Sequence, residues 1–265
     1  MGKGIKVFLI VLAIIIIAIV LFLGYLGFIP GVSALFGSNK PRDLGVKYTE
    51  ADFSSARAKS QVEYVALPAN TPDSQSVVRT GSRPVNTSFS SAEATALMND
   101  RPFKYWPYKN VQIKFNSDGS AEVSGQLIKD RLPGYLASIG VDKSVADKVI
   151  KYLPGNTVFY VKGKASLTDN KVSLLDPSKV EIGRMSIPVN LILSFDTNNS
   201  NVVYAADQSG IENELSSASG KKAAIISYIN NHLAGIKGFF AKKAFFSDNA
   251  LNFDGNLNEK EATVK

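Results

Sequence analysis

One short stretch of the sequence interleaves cations with aromatic rings. Within residues 101–109, the only tryptophan of the chain, Trp106, stands among Phe103, Tyr105 and Tyr108. Aromatic faces beside cations suit sugars that stack on rings, the interfacial layer of a membrane, or nucleic-acid bases. The alternative is structural, because the same rings in a helix-to-strand connection would cover one end of a core. We predict ligand or membrane contact at these four rings, with the structural interpretation as the alternative.

A second aromatic and basic cluster covers residues 238–246, in which pairs of phenylalanines flank two lysines. Successive side chains of a strand point to opposite faces, so half of these rings would face away from a core that covers only one face. This favours an apolar groove or an interface contact at Phe239 and Phe240, and core packing is the alternative.

The residue types that most catalytic and metal sites need are scarce. The chain has no cysteine and a single histidine, His232, which excludes thiolate nucleophiles, thiolate zinc sites and sites with two imidazoles. The sequence also lacks a P-loop, a G-x-S-x-G elbow and calcium-loop spacing. A helix is expected over residues 221–233, and His232 at the edge of its inward face is interpreted as structural or partly exposed. We therefore expect no enzyme, no cofactor and no metal ion.

The most apolar segment is residues 5–29, within which residues 7–23 are apolar without interruption. As a helix this segment would be roughly 37 Å long, enough to span the hydrocarbon core of a bilayer. A cleaved signal peptide is the alternative, with Lys3 and Lys6 before the apolar run, but that run is longer than the usual stretch of about 7–15 residues. We predict a transmembrane signal anchor in the cell membrane. The short N-terminal tail favours a single pass with the N-terminus inside and the C-terminal domain outside, although basic residues flank the span on both sides.

The net charge indicates which partners the chain suits. Lys and Arg number 30 against 23 Asp and Glu, so the formal net charge is +7. Without Lys3 and Lys6 it falls to +5, and the cations are dispersed. Such a surface suits anionic lipid headgroups or wall polymers. The predicted partners are the lipid bilayer, through residues 5–29, and a lipid or an envelope polymer as ligand. Nucleic acid is not expected, because the sequence shows no basic block and no nucleic-acid-binding module.

Beyond the anchor, residue patterns divide the chain into three segments. Residues 30–87 are interpreted as a juxtamembrane segment with a Pro- and Ser-rich linker and a short helix, which a capping box at Thr49 opens. Residues 88–258 are predicted to form an extracytoplasmic α+β domain, and residues 259–265 a polar tail. In the domain, a capping box at Ser90 opens another helix. The alternation that follows predicts an antiparallel, meander-rich sheet of repeated hairpins, packed with a few helices.

Two of the predicted hairpins share one residue pattern. The order Phe-x-x-Asp-Gly or Phe-x-x-Asp-Asn, followed by alternating apolar residues and a glycine in the strand, occurs at residues 115–127 and again at 245–257. Gly125 and Gly255 occupy the same place in the two copies, where a strand glycine indicates a bulge or a close backbone approach. A duplicated structural unit and a pattern common to antiparallel hairpins are both consistent with this similarity.

The order of an N-terminal span, the Ser90-capped helix and these hairpins resembles uncharacterised single-pass extracytoplasmic proteins of bacteria. Some of those proteins are similar to tubular lipid-binding (TULIP-like) domains. The resemblance covers roughly residues 88–257 and rests on patterning. It implies a curved antiparallel sheet that wraps a helix around an apolar groove, and binding of a lipid or another apolar ligand without catalytic residues.

These observations lead to three hypotheses about function. The first is a membrane-anchored extracytoplasmic domain that binds lipid or another apolar or envelope ligand without catalysis. The second is a structural or protein-interaction module of the cell envelope. The third is a carboxylate-dependent hydrolase of wall glycans, which needs two acids about 5–10 Å apart in a cleft near Trp106.

Overall fold

The computed structural model describes residues 3–153, 155, 157–187 and 218–265. Within these ranges the helices, in chain order, are α1 (Lys3–Tyr25), α2 (Pro30–Leu35), α3 (Glu50–Ser60), α4 (Ser91–Asn99), α5 (Leu132–Ser138), α6 (Lys143–Tyr152) and α7 (Ala218–Gly235). The strands are β1 (Glu63–Leu67), β2 (Val77–Thr80), β3 (Arg83–Ser90), β4 (Tyr108–Phe115), β5 (Ala121–Leu127), β6 (Thr157–Thr168), β7 (Lys171–Ile182), β8 (Met185–Ser186), β9 (Phe240–Ser247), β10 (Ala250–Leu257) and β11 (Lys260–Val264).

The strands form two sheets. In the larger one, of eight strands, β3, β10, β9, β6, β5 and β4 are neighbours in that order, and β7 pairs with β6 and β8. Strands β4 to β7 each pair antiparallel with the next strand of the chain. The predicted α+β class with a meander-rich antiparallel sheet is therefore confirmed. The smaller sheet has the order β1-β11-β2, in which β11 is parallel to β1 and antiparallel to β2.

Both predicted capping boxes are present. The Thr49 hydroxyl accepts the Asp52 N–H and the Asp52 carboxylate accepts the Thr49 N–H, which opens α3, and Ser90 and Glu93 open α4 in the same way. Glu93 has a second role, because its buried carboxylate also accepts the hydroxyl of Ser55 at 2.6 Å. A single carboxylate therefore caps one helix and ties it to another.

Two segments predicted as irregular are parts of the sheets. Strand β2 and most of β3 lie in the predicted linker, and β11 occupies the predicted polar tail of residues 259–265. Strand β3 pairs along its whole length with β10 and contributes Val85 and Phe89 to a core cluster. The linker and tail predictions are wrong at these strands, and the sheet begins before the predicted boundary at residue 88. The physical reason is that the strand partners are distant in sequence, so local composition carries little sign of the pairing.

The two similar hairpins lie in the same sheet, separated by β6, and are in contact through one pair of rings. The rings of Phe115 and Phe246 are stacked with centroids 5.3 Å apart. Asp248 and Asn249 both have positive φ, as the two-residue turn between twisted strands requires. Gly255 lies at a register shift of β10, and a Cβ there would collide with the Phe240 carbonyl oxygen. The bulge or close backbone approach expected at this glycine is confirmed.

Helix α1 ends against the larger sheet. The Leu26 carbonyl oxygen, just after the helix, accepts the Arg184 N–H at 2.9 Å. Gly183 makes this approach feasible, because it has a positive φ and a Cβ there would collide with the same carbonyl oxygen. The side chains of α1 are described from Ile10 onward, and its apolar side chains are largely exposed. Among the helices as far as they are described, none is long and apolar enough to cross a membrane.

An ion pair fastens the segment after α2 to the same sheet. Arg42 donates from Nε and Nη2 to the two carboxylate oxygens of Glu181, at 2.7 and 2.9 Å, and Glu181 is only 2% exposed. The backbone N–H of Arg42 donates to the Ser124 hydroxyl at 2.7 Å. Further along, the Leu44 N–H donates to the Gln112 side chain. The chain between α1 and α3 is therefore held against strands β4, β5 and β7.

The Glu181 contact predicts acid sensitivity. Burial raises the pKa of Glu181, but the hydrogen bonds from Arg42 and Lys179 outweigh it, so the pKa lies below the usual value of 4.5. Its contribution to stability is therefore present above about pH 4.5 and is lost as the pH falls through the lowered pKa. Glu181→Gln should cost most stability near neutral pH, and the difference from wild type should shrink below pH 4.5.

The measurement is urea unfolding of the full chain at a series of pH values. Asp147→Asn is the matched control, because it breaks an exposed ion pair with Lys143 and should change stability little at neutral pH. A difference between Glu181→Gln and wild type that stays constant down to pH 3 would contradict the assignment.

Candidate functional site

The aromatic connection between α4 and β4 is fixed by backbone and side-chain hydrogen bonds. Pro102 and Pro107 prevent this segment from continuing either a helix or a strand ladder. The indole N–H of Trp106 donates to the Met98 carbonyl oxygen at 2.7 Å, at the end of α4. The Thr263 hydroxyl donates to the Pro102 carbonyl oxygen at 2.5 Å, from strand β11. The connection is therefore held between α4 and the smaller sheet.

The rings of this connection pack edge to face. The centroid of Trp106 lies 5.0 Å from that of Tyr108 and 5.9 Å from that of Tyr135 on α5. Tyr108 also contacts the ring of Phe159 on β6 at 6.0 Å. Burial and the neighbouring Tyr135 raise the pKa of Tyr108 to about 12, so its phenol stays neutral at physiological pH. These rings form one packed aromatic cluster, which we call the apolar floor.

A buried carboxylate holds two arginines beside the floor. Glu261 lies on β11 with its side chain 5% exposed, and it accepts Arg79 Nε at 2.9 Å and Arg101 Nη2. The guanidinium of Arg101 also stands 4.7 Å from the centroid of the Trp106 ring. Arg101 is therefore in contact with both the carboxylate and the indole, a geometry that combines an ion pair with a cation–π contact.

Rings and cations together line an open cavity of about 670 Å³. It lies between the smaller sheet, the aromatic connection, α5 and the end of α7. Its side chains are aromatic, aliphatic, cationic and uncharged polar, and its described lining includes no carboxylate. The lining residues that matter for binding are Arg79, Arg101, Lys237, Phe103, Trp106, Tyr135, Val78, Ile139 and Ile236. We call this space the aromatic–cationic cavity.

The structure places the predicted contact residues of the first aromatic stretch in different environments. Phe103 and Trp106 both line the aromatic–cationic cavity, although each is mostly buried. Tyr108 lies in the ring cluster behind Trp106, and the Tyr105 hydroxyl donates to the Asp73 carboxylate at 2.6 Å. In the first aromatic stretch, two of the four rings therefore line a cavity and the other two make contacts within the fold, and ligand contact stays a prediction.

The second aromatic cluster lies elsewhere. Phe239 packs against Phe253 and the core cluster of the larger sheet, with ring centroids 6.0 Å apart. Phe240 is 43% exposed on β9. His232, interpreted from the sequence as structural or partly exposed, is exposed and lies at the edge of the aromatic–cationic cavity.

Several residues that line the cavity, and the carboxylate that holds two of them, were missed by sequence reasoning. Arg79 lies in the segment predicted as a linker, and Glu261 in the predicted polar tail. Tyr135 and Lys237 stand in other elements, far from Trp106 in sequence. One local signal was available, because Glu261 and Thr263 alternate with Ala262 and a final apolar residue, as in a strand. Their convergence depends on the pairing of β11 between β1 and β2, which no local pattern indicates.

Comparison of the chain with protein-family models, with characterised proteins and with solved structures finds no match. An apolar floor with cations at its edge suits a ligand with an apolar part. The described lining does not contain the two carboxylates that a glycan hydrolase near Trp106 would use.

Removal of the Glu261 charge should destabilise the protein. Glu261→Gln leaves Arg79 and Arg101 without their counter-ion, and we expect the free energy of unfolding to fall by about 2 kcal/mol. The loss should be smaller than for a fully buried pair, because both arginines are partly exposed to water. Urea unfolding of the full chain, followed through the fluorescence of Trp106, measures it.

The matched control is Glu63→Gln, which breaks an ion pair with Lys260 in the same small sheet. Both side chains of that pair are more than half exposed, so the expected change is below about 1 kcal/mol. Equal effects of the two substitutions would refute the role assigned to Glu261.

Proposed function

We propose that this protein is a membrane-anchored extracytoplasmic domain that binds a lipid, or another apolar or envelope ligand, without catalysis. The aromatic–cationic cavity is the observation that carries the proposal. Its volume of about 670 Å³ falls within the range of ordinary ligand pockets, which combine apolar surface with polar groups that orient the ligand. The rings of Phe103, Trp106 and Tyr135 supply the apolar surface.

The anchor is supported by the sequence and by the exposure of α1. Residues 7–23 are uninterruptedly apolar, and among the described side chains Ile14 is 60% and Phe22 61% exposed. Apolar side chains in such a row are unfavourable in water and favourable in a hydrocarbon core. The proposed span is residues 5–29, with the N-terminus inside the cell and the sheets outside.

Extraction from membranes tests the anchor. The full chain should stay in the membrane pellet after an alkaline carbonate wash. Ile16→Arg should release a substantial fraction, because a charged residue at the centre of a span costs about 3 kcal/mol on insertion scales. Asn39→Arg, an exposed position outside the span, is the control and should remain in the pellet. A mature chain that begins near residue 35 by mass would show a cleaved signal peptide and overturn the anchor.

Filling the cavity tests ligand binding. Val78 lines the aromatic–cationic cavity and is 41% exposed, so Val78→Trp should occupy the cavity without disturbing a core. We expect the wild-type chain, purified from its membranes in mild detergent, to carry bound lipid or another apolar molecule in native mass spectrometry. The variant should lose most of it.

The control for this substitution is Val65→Trp. Val65 pairs with Ala262 on the opposite side of β11 from Val78, has similar exposure at 37%, and does not line the cavity. It should retain the ligand, which separates cavity binding from lipid held around α1. An empty wild-type chain, or equal occupancy of both variants, would overturn the proposal. A co-purifying protein in place of a small molecule would favour the interaction-module hypothesis.

A further inference from the structure

The aromatic–cationic cavity has an excess of positive charge at one side. Arg79, Arg101 and Lys237 all line it. The one carboxylate bonded to the two arginines is Glu261, which neutralises a single charge. The local balance is therefore about two positive charges, facing a cavity whose described lining has no acid. A negatively charged group that binds here would be stabilised by Coulomb attraction to these cations, which is stronger in a partly desolvated site than in water.

The arginines are also pre-organised for an anion. A guanidinium carries five N–H donors. Glu261 accepts one hydrogen bond from Arg79 Nε and one from Arg101 Nη2. The other N–H donors of the two guanidinium groups therefore remain near the cavity. The ion pair with Glu261 and the contact of Arg101 with the Trp106 ring keep both side chains in place. Less side-chain entropy is lost on binding when a donor is already held in its bound position.

The apolar part of the lining lies next to these donors. Trp106 is in contact with Arg101, and Val78, Ile139 and Ile236 add aliphatic surface to the lining. We infer that the cavity selects an amphiphilic anion: a phosphate or carboxylate at Arg79, Arg101 and Lys237, with its apolar chain or ring against Trp106. The inference rests on the proposed function and narrows the ligand class from apolar molecules to anionic amphiphiles.

Trp106 provides the measurement, because it is the only tryptophan of the chain and lines the cavity. The full chain is held in phosphatidylcholine vesicles and titrated with hexyl phosphate, hexyl glucoside or inorganic phosphate. Protein-free vesicles correct for partitioning. Binding is followed by Trp106 fluorescence and by saturation transfer to the ligand protons in NMR. Hexyl phosphate should bind at least tenfold more tightly than either of the other two probes.

Three substitutions assign the contacts. Arg101→Gln should weaken hexyl phosphate binding about tenfold, since it removes charge-assisted hydrogen bonds. Arg101→Lys keeps the charge and should weaken binding less. Lys237→Gln, at an exposed position where folding is not at risk, should weaken it about threefold. Lys148→Gln, an exposed cation on α6 outside the cavity, is the control and should bind as wild type does.

The outcomes separate this inference from the proposed function. Equal affinity for hexyl phosphate and hexyl glucoside would overturn the anionic selectivity and leave apolar binding intact. Equal affinity for hexyl phosphate and inorganic phosphate would show that a free anion is the ligand, which overturns the amphiphile. Failure of all three probes to bind would overturn both proposals. Unchanged hexyl phosphate affinity in Lys237→Gln and Arg101→Gln would overturn the assigned contacts.

Discussion

Strand β11 and its buried carboxylate organise the candidate site. Glu261 cannot lie in the interior of the smaller sheet without compensation, because a buried charge is costly unless it is paired and hydrogen-bonded. Arg79 from β2 and Arg101 from the aromatic connection supply that compensation. The same strand holds the connection through the Lys104 N–H, which donates to the Val264 carbonyl oxygen at 2.8 Å. The position of Trp106 therefore depends on where β11 pairs.

The requirement for charge compensation also explains the character of the cavity. Two arginines gathered around one carboxylate leave an excess of positive charge, and the ring of Trp106 beside Arg101 adds an apolar face. A folded-state contact that stabilises the sheet thereby also supplies the positive charge and the apolar surface on which the proposed binding depends. In this molecule stability and the proposed binding use the same side chains, so substitutions there must be judged with separate measurements of each.

A second buried carboxylate performs a similar task in the larger sheet. Glu181 on β7 holds Arg42, and the backbone contact between Arg184 and Leu26 holds the end of α1. The segment between α1 and α3 therefore follows the surface of the larger sheet and is fastened to it at several points. If α1 is the anchor we propose, the sheet has a defined orientation relative to the bilayer.

The sequence alone determined the features that depend on neighbouring residues. These include the apolar run of residues 7–23, the capping boxes at Thr49 and Ser90, the hairpin turns and the bulge at Gly255, because each is set by contacts between residues close in the chain. Only the tertiary structure decided that residues 77–80, 83–90 and 260–264 are strands. It also decided which aromatic side chains reach a cavity. Arg79 and Glu261 pair across strands although more than 150 residues separate them in the chain. Their local sequences resemble a linker and a tail, so only the strand pairing brings the two side chains together. The cavity exists only once that pairing has formed.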